Sequence, residues 1–396
     1  MLHTHWHGAS PEELLERWPA TSRLMEALVE AGLNVTAFWR GPAPGQDISE
    51  GAVLHRFVAD RSRLGWRLAL AVRRARPDVV HVNGLLFSLP TIVLRLCVGR
   101  RVRLVVQHHG EPPGRGRSLL AMRLARRVVD GYLFTGAEGP AGFTWAEGFT
   151  GTEGSTGAEG STGAEGPAGQ AEEWRRAGVL ASDTATYEVL EASTDISPIA
   201  EAEARRSTGM VGNPTILWVG RLVPDKDPLT AVAAFAGMVA GSSGSDPGPH
   251  LWMLATDRDL EAQVQRAVGS RPDLTDRVHV VGPVPHTEVR EWFSAAQIYF
   301  STSSHEGSGY ALIEALACGC TPVVSDIAPH RAIAAGLGRR FPVGDVEAAA
   351  SALAELDLLR RSTVRDEFES RLSWRSVAAQ LQAAYGLDSG DARGAT

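Results

Sequence analysis

Lysine is almost absent from this chain, because among its 39 basic residues only Lys226 is a lysine and the others are arginines. Cysteine is also scarce: Cys97, Cys318 and Cys320 have no paired spacing, which argues against a disulfide framework or a zinc site and predicts free, buried thiols. No apolar run approaches membrane-spanning length, and no signal-peptide pattern is recognisable. We therefore expect a soluble, cytoplasmic protein.

Acidic residues are few in the first third of the chain. Residues 1–134 hold 19 Arg against 11 Asp and Glu, whereas the whole chain has a net charge of −7. A basic first domain favours an acidic acceptor or a contact with the inner face of an anionic membrane. The alternative is that arginine-rich helical stretches such as Arg73–Arg76 and Arg123–Arg127 are solvated faces. No nucleic-acid partner is expected.

Strand and helix patterns alternate along most of the chain. Short β-branched runs predict strands at 34–39, 77–82, 102–107, 131–135, 187–191, 215–220, 250–256 and 278–281. Helical periodicity between them predicts helices that include 11–31, 67–75 and 86–98. This alternation is typical of α/β domains with doubly wound, mostly parallel sheets, which bind ligands beyond the carboxyl ends of their strands. By that rule Asn83, His108 and His109 lie at the ligand-binding edge.

Residues 137–169 form a low-complexity segment. It contains four consecutive six-residue units of the form (Ala/Thr)-Glu-Gly-x-x-Gly. A parallel β-helix needs an aliphatic residue in each turn to fill its coil, and these units have none. The composition therefore predicts a flexible loop, either an inert insertion or a flap near an acceptor.

The most informative stretch follows a predicted strand at 297–302 and runs from His305-Glu306-Gly307 into a predicted helix, Tyr310–Ala317. Ser308 is available as its N-cap and Gly319 as its C-terminal stop. From Gly307 to Ser325 the only charged side chain is that of Glu314, so we expect a hydrogen-bond donor to meet it. Bare amides at the positive end of this helix suit an anion such as phosphate.

A family resemblance is carried by the same residues. Glu306 and Glu314 form an E-x7-E pair within a frame, His-Glu-Gly-x-Gly…Glu-Ala-x-Ala-Cys-Gly, that closely resembles the retaining, nucleotide-sugar-dependent family-4 glycosyltransferases. The stretch from Ser373-Trp-Arg to Ala384-Tyr385 resembles the last helix of that family. The resemblance implies the GT-B fold, in which two Rossmann-like domains face a cleft and the C-terminal helix crosses back to the first domain.

The resemblance also implies roles for the motif residues. Glu314 would accept hydrogen bonds from the ribose hydroxyls of the donor, and Glu306 would contact the donor hexose. Ser308, Gly309 and Tyr310 would help to hold the diphosphate at the start of the helix. These roles would require no obligatory protein nucleophile, because retention in the family is usually explained by front-face attack assisted by the leaving phosphate.

Three basic or imidazole side chains complete the implied site. Arg221 and Lys226, in the stretch after the strand 215–220, resemble the pair that grips the donor diphosphate. The composition independently supports a role for Lys226, because the one lysine of an arginine-rich chain lies inside this motif. A compact ammonium can act on phosphate as a point charge. His109, in a His-Gly pair, resembles the family histidine that orients the donor sugar.

Two Asp-x-Asp triplets raise the question of a metal ion. Asp225 and Asp227 form one, and Asp257 and Asp259 form the other. Some other glycosyltransferases use such a pair to hold a divalent cation on the diphosphate. Each triplet here precedes a predicted helix and has a basic residue between its acids, so helix capping is the simpler prediction. We expect no metal in the donor site and no separate cofactor.

These observations predict a first domain at 1–197, a linker at 198–213, a nucleotide-sugar-binding domain at 214–387 and a disordered tail at 388–396. The predicted function is hexosyl transfer from a nucleoside diphosphate sugar to an unidentified acceptor, which would be acidic or lipid-linked. Two alternatives stay open. One is a nucleotide-sugar epimerase of the same fold, and the other is a non-catalytic protein that binds sugar nucleotides.

Overall fold

The computed structural model describes residues 2–3, 10–17, 19–41, 46–62, 64–83, 88–108, 116–135, 167–190, 192–241, 247–306 and 309–387. The chain divides into two compact units, of which the first comprises Met1–Glu191 and Trp374–Thr396 and the second comprises Ala192–Ser373. The last helix thus belongs to the first unit, as the resemblance implies for a C-terminal helix that crosses back. No described helix is long and apolar enough to span a bilayer.

The strands and helices are numbered along the chain. The strands are β1 Leu2–His3, β2 Thr36–Gly41, β3 Asp47–Glu50, β4 Val53–Ala59, β5 Val79–Asn83, β6 Arg103–His108, β7 Gly131–Thr135, β8 Ala185–Val189, β9 Thr215–Gly220, β10 His250–Ala255, β11 Val278–Val281, β12 Ile298–Ser301, β13 Thr321–Ser325 and β14 Arg339–Phe341. The helices are α1 Pro11–Arg17, α2 Pro19–Glu30, α3 Trp66–Ala75, α4 Ser88–Val98, α5 Arg117–Ala125, α6 Pro167–Arg176, α7 Glu201–Thr208, α8 Pro228–Gly241, α9 Glu261–Gly269, α10 His286–Ala295, α11 Tyr310–Ala317, α12 Ala328–Ala334, α13 Val346–Ala354, α14 Arg361–Arg371 and α15 Trp374–Ala384.

The first unit is built on an eight-stranded sheet with the order β3-β4-β2-β1-β5-β6-β7-β8. Its strands pair in parallel, except that β3 pairs with β4 in antiparallel register. One face packs against apolar side chains of α3 to α6, and the other packs against α2 and α15. The hairpin formed by β3 and β4 was not predicted.

The second unit has a six-stranded parallel sheet with the order β11-β10-β9-β12-β13-β14. Strand order therefore reverses between β9 and β12, which is the topological switch point where doubly wound sheets bind ligands. In β9, Ile216 and Trp218 pack with Phe235 in a core beneath α8, α9 and α13. Leu217, between them, is buried on the opposite face, as the alternation of strand side chains requires. The predicted pair of doubly wound Rossmann-like domains is confirmed.

Two boundaries differ from the expected ones. The stretch predicted as a linker, 198–213, contains α7, which packs against α10 of the second unit. Arg205 of this helix donates hydrogen bonds to the carbonyl of Gly212 and to the hydroxyl of Thr215, so the helix is tied to the start of β9. In the first unit, α6 begins at Pro167, inside the segment predicted as a loop. The rest of that loop and the predicted tail lie outside the described residues.

The C-terminal helix α15 is held in the first unit by apolar packing and by one buried polar contact. Leu381 and Val377 pack with Leu28 of α2. The hydroxyl of Tyr385 lies 2.8 Å from Nδ1 of His81, and both side chains are buried. Because the partners are 304 residues apart in the chain, this hydrogen bond joins the last described turn to strand β5.

We expect Tyr385→Phe to destabilise the first unit. The variant keeps the aromatic ring but leaves a buried imidazole nitrogen of His81 without this partner, which costs about 1–3 kcal/mol. Thermal unfolding followed by circular dichroism should show a melting temperature lower by a few degrees, about 2–4 °C for each kcal/mol in a unit of this size. An unchanged melting temperature would mean that this hydrogen bond contributes little to holding α15.

Candidate active site

The candidate site is built at the carboxyl ends of β9 and β12. The chain after β9 forms a 3₁₀ turn, Pro224–Lys226, and the chain after β12 runs on to Glu306. The hydroxyl of Thr302 lies 3.0 Å from the carbonyl oxygen of Lys226 and 2.7 Å from that of Asp227. The amide of Ser304 donates to the carbonyl of Asp225 at 2.9 Å. These hydrogen bonds fix the turn against the end of β12.

The side chains of Lys226 and Glu306 meet at this junction. Lys226 Nζ lies 2.5 Å from Glu306 Oε2, and the two side chains are only 17% and 16% exposed. The hydroxyl of Ser303, which is buried, donates to the other carboxylate oxygen of Glu306 at 2.7 Å. The only lysine of the chain therefore forms a largely desolvated, hydrogen-bonded ion pair with the first glutamate of the E-x7-E motif.

Two histidines close to this pair are held in the neutral form. Burial lowers the pKa of His305, against the opposing influence of the Asp225 and Glu306 carboxylates, and its Nε2 is buried with no hydrogen-bond partner in the described part of the chain. Burial likewise lowers the pKa of His330, whose Nδ1 lies 2.9 Å from the carbonyl oxygen of Ser325 and donates to it. The second unit thus adds two uncharged imidazoles to this junction.

The N-terminus of α11 points to the same edge. Its N-cap is Gly309, with a φ of +62° in the left-handed region, and no side chain caps the helix. Ser308, which we expected as the N-cap, precedes the capping position and lies outside the described residues. The positive φ favours glycine at position 309, and a Cβ there would come 2.5 Å from Cδ1 of Ile333, which would have to shift. Tyr310, the first helical residue, is exposed.

Glu314 is buried on α11, and its expected hydrogen-bond donor is present. Nε2 of His286, the first residue of α10, lies 2.9 Å from Glu314 Oε1. Burial raises the pKa of Glu314, and the hydrogen bond and charge of His286 partly offset that rise. The pKa of the buried Tyr299 hydroxyl is raised first by burial and then by the charges of Glu306 and Glu314. The fold thus brings both glutamates of the motif close to one tyrosine.

Arg221 stands apart from the ion pair. Its guanidinium is exposed and lies 3.7 Å from the carboxylate of Asp257. The prediction that Asp257 and Asp259 cap a helix is wrong, because the N-cap of α9 is Leu260 and no side chain caps it. In the other triplet Asp227 does cap α8, since its carboxylate accepts a hydrogen bond from the amide of Thr230. In the described ranges, no three His, Cys, Asp or Glu side chains are grouped to hold a metal ion.

Only some of the predicted site residues of the first unit lie among the described residues. His109 lies outside the described residues, so its role stays a prediction. His108, expected at the ligand-binding edge, is instead buried, with its ring 4.8 Å from that of Trp174 and 5.2 Å from that of Phe134. It is part of the packing of this unit because its side chain points inward from β6.

Sequence reasoning missed four polar contributors to the site. Thr302 is the last residue of the predicted strand and Ser303 directly follows it, so their position at a strand end was an available signal. His286 gave no signal, since it lies 28 residues before Glu314 in a helix that was not predicted. His330 also lies in an unpredicted helix, α12.

Comparison with known proteins places both units in one group of enzymes. The profile described as "Glycosyl transferases group 1" matches residues 213–357, and that described as "Glycosyl transferase 4-like domain" matches residues 18–139. A GDP-mannose:cellobiosyl-diphosphopolyprenol alpha-mannosyltransferase of Xanthomonas oryzae is 28% identical over 175 residues, which are 42% of this chain and 45% of that protein. A 2-deoxystreptamine N-acetyl-D-glucosaminyltransferase of Streptomyces fradiae is 34% identical over 152 residues, or 37% and 35% of the two chains. The alignments thus span less than half the length of these two relatives.

Solved structures share the fold over nearly the whole chain. Sucrose-phosphate synthase from Thermosynechococcus elongatus superposes with a TM-score of 0.58 at 19% identity, covering 97% of this chain and 98% of its own. A glycosyltransferase from Rickettsia africae superposes with a TM-score of 0.63 at 11% identity, covering 97% of each chain. Together with the two profile matches and the E-x7-E motif at the switch point of the second sheet, these likenesses show that the chain belongs to the group 1, family-4 glycosyltransferases of the GT-B fold.

Proposed function

We propose that this protein transfers a hexosyl group from a nucleoside diphosphate sugar to an acceptor hydroxyl, with retention of anomeric configuration. The observation that carries the proposal is the Lys226–Glu306 ion pair, which lies at the switch point beside the N-terminus of α11. A cation, the N-terminus of a helix and a carboxylate in one place match the three parts of such a donor. These parts are a diphosphate, a reacting sugar and the ribose that follows.

The positive groups are arranged to hold the diphosphate. The ammonium of Lys226 is fixed at the edge of the sheet, and the start of α11 presents amides and the positive end of a helix dipole. The exposed guanidinium of Arg221 is free to move toward a bound anion from its loose, 3.7 Å contact with Asp257. We assign diphosphate binding to Lys226, Arg221 and the backbone at Ser308, Gly309 and Tyr310.

The chemical step is a substitution at the anomeric carbon of the donor. The bond from that carbon to the diphosphate oxygen breaks, and a bond to the acceptor oxygen forms on the same face. The acceptor proton passes to an oxygen of the departing diphosphate, so no protein nucleophile is consumed. Negative charge builds on the leaving group, where Lys226 stabilises it electrostatically. Glu306 orients the sugar, and His109 is assigned to the sugar by resemblance alone.

Lys226→Ala should lower turnover by about 10²-fold or more, typical of losing one preorganised charge on a developing oxyanion. Lys226→Arg should recover only part of the rate, because a planar guanidinium cannot reproduce the 2.5 Å ammonium contact with Glu306. Release of nucleoside diphosphate from a panel of donors measures the rate. Arg271→Ala is a matched control, since this arginine pairs with Asp273 in an exposed contact before β11.

Full activity of the alanine variant would remove Lys226 from the mechanism.

We also propose that the reaction needs no metal ion. Asp227 is engaged in capping α8, and cationic side chains of the chain are assigned to the diphosphate. EDTA should leave the rate unchanged. A loss that Mg²⁺ or Mn²⁺ restores would contradict this. Conversion of the donor sugar to its epimer, or donor binding without turnover, would instead favour an epimerase or a binding protein.

A lipid-linked acceptor at an anionic membrane is the second part of the proposal. Helices α3, α4 and α5 contain no Asp or Glu and pack side by side on one face of the first sheet. Their exposed large apolar side chains are Trp66, Leu70, Leu89, Leu96, Leu120 and Leu124. Leu96 is 71% exposed, although most leucines of a folded domain are buried. Apolar side chains interspersed with arginines suit the boundary between lipid headgroups and acyl chains.

The named relatives support this reading in part, since the Xanthomonas oryzae enzyme is named for a cellobiosyl-diphosphopolyprenol substrate. A lipid-linked acceptor would be presented at a membrane surface, where a basic and apolar helix layer could bring the first unit to it. The alternative is that the arginines of this layer are a solvated face.

Leu96→Glu combined with Leu120→Glu should weaken sedimentation with anionic vesicles by about tenfold or more, because it removes two apolar contacts and adds two negative charges. Wild-type protein should prefer anionic over neutral vesicles at low salt and lose that preference at high salt. Leu358→Glu, at an exposed leucine of the second unit, is the control. Equal and salt-insensitive recovery on both vesicle types would contradict membrane binding.

A further inference from the structure

His286 lies at the surface, yet its side chain contacts the buried carboxylate of Glu314. Its side chain is 77% exposed, whereas the carboxylate that it meets, on Glu314, is 10% exposed. Nε2 of His286 lies 2.9 Å from Oε1 of Glu314. An exposed side chain ordinarily gains little free energy from holding one fixed contact, because it loses rotamer freedom and would be well hydrated without the contact. Here the imidazole closes the solvent-facing side of a buried acid.

The state of Glu314 depends on this contact. In the described part of the chain, His286 is the hydrogen-bond partner of the carboxylate. Burial favours the protonated acid and raises its pKa, and the hydrogen bond and charge of His286 are what oppose that rise. Without the imidazole, no hydrogen-bond donor to the buried carboxyl group would remain among the described residues, a state that favours protonation or reorientation of the carboxyl group.

Other titratable groups around Glu314 stay in one form near neutral pH. On its own helix, burial raises the pKa of the Cys318 thiol to about 12. Tyr299 of β12 also has its pKa raised by burial. Arg361 and Arg365 of α14 lie near Cys318 and are permanently charged.

Two further charged or titratable groups lie on the side of Glu306. Glu306 is paired with Lys226, and His330 of α12 is kept neutral by burial. The ionisation of Glu314 is therefore governed by its own burial and by His286.

We propose that His286 is a positioning residue for the ribose of the donor nucleotide. The inference rests on the proposed function and on the assignment of Glu314 to the ribose. A carboxylate can accept about four hydrogen bonds, two at each oxygen. The imidazole occupies one site at Oε1 and fixes the plane of the carboxylate, which leaves Oε2 and the second site of Oε1 for the 2′ and 3′ hydroxyls. Because it also favours the ionised form of Glu314, His286 sets the preference for ribose over deoxyribose.

The test compares ribonucleotide and 2′-deoxyribonucleotide binding by calorimetry. A panel of UDP, GDP, ADP and CDP first identifies the nucleotide that wild-type protein binds, and its 2′-deoxy form then gives the discrimination ratio. His286→Ala should weaken the ribonucleotide about tenfold and the 2′-deoxy form much less, because a hydrogen bond to a charged group is what aligns the carboxylate. His286→Gln, which retains an N–H donor of similar reach, should restore most of the ratio.

A pH series separates positioning from a general structural effect. Binding requires ionised Glu314, and removal of His286 removes the influence that lowers its pKa. Affinity in His286→Ala should therefore begin to fall at a higher pH than in wild type as the solution is acidified, and His286→Gln should lie between them. Glu288→Ala, at an exposed position on the same helix, is the control and should leave both the ratio and the pH profile unchanged.

The outcomes distinguish this inference from the function on which it rests. If wild type binds a ribonucleoside diphosphate in preference to its deoxy form and His286→Ala keeps the same ratio and pH profile, the positioning role is wrong and the proposed function stands. Equal weakening of both nucleotides would also overturn it. If wild type binds no nucleotide of the panel, the proposed function fails and the inference fails with it.

Discussion

The hydroxyl of Thr302 is the contact on which the site depends. It reaches the carbonyl oxygens of both Lys226 and Asp227, and the indole N–H of Trp218 lies 3.4 Å from the same hydroxyl. Thr302 itself is fully buried at the end of β12. Two chain segments that leave neighbouring strands are joined at this point, so that side chains 80 residues apart, those of Lys226 and Glu306, meet at 2.5 Å. The strand order of the sheet creates the switch point, and the hydrogen bonds of Thr302 hold the segments that carry the two charged side chains together at it.

The electrostatic consequence is that Lys226 is already neutralised before any donor arrives. Separating a largely buried ion pair leaves an uncompensated charge, which is costly. A donor that took Lys226 for its diphosphate would thus need to give Glu306 new hydrogen-bond donors. The hydroxyls of a hexose can do this. Under the proposed function, the diphosphate and the sugar are bound cooperatively, and a nucleoside diphosphate without its sugar would leave Glu306 less well satisfied.

Patterns that are local in sequence were predicted well, and contacts between distant elements were not. Thr215–Gly220 and Tyr310–Ala317 begin and end at the expected residues, because an apolar run between polar or glycine boundaries fixes each of them. The hairpin of Asp47–Glu50 and Val53–Ala59 was missed, since its strands mix exposed polar and buried residues in a short span. The Lys226–Glu306 ion pair and the His286–Glu314 contact each join residues from different elements. Spacing within the sequence does not show which of these elements come together. The roles assigned to the site residues, including His109 and Ser308, stay predictions.

The two glutamates of the motif show why spacing alone does not assign a role. Glu306 follows a strand and is paired with a lysine, and both of these side chains are largely buried. Glu314 is on a helix and is buried, and its partner is an imidazole that is 77% exposed. One carboxylate is therefore paired inside the fold, whereas the other is met by a side chain in contact with solvent. Carboxylates in unequal surroundings are suited to unequal tasks. Under the proposed function, the assignment of Glu306 to the sugar and of Glu314 to the ribose follows that division.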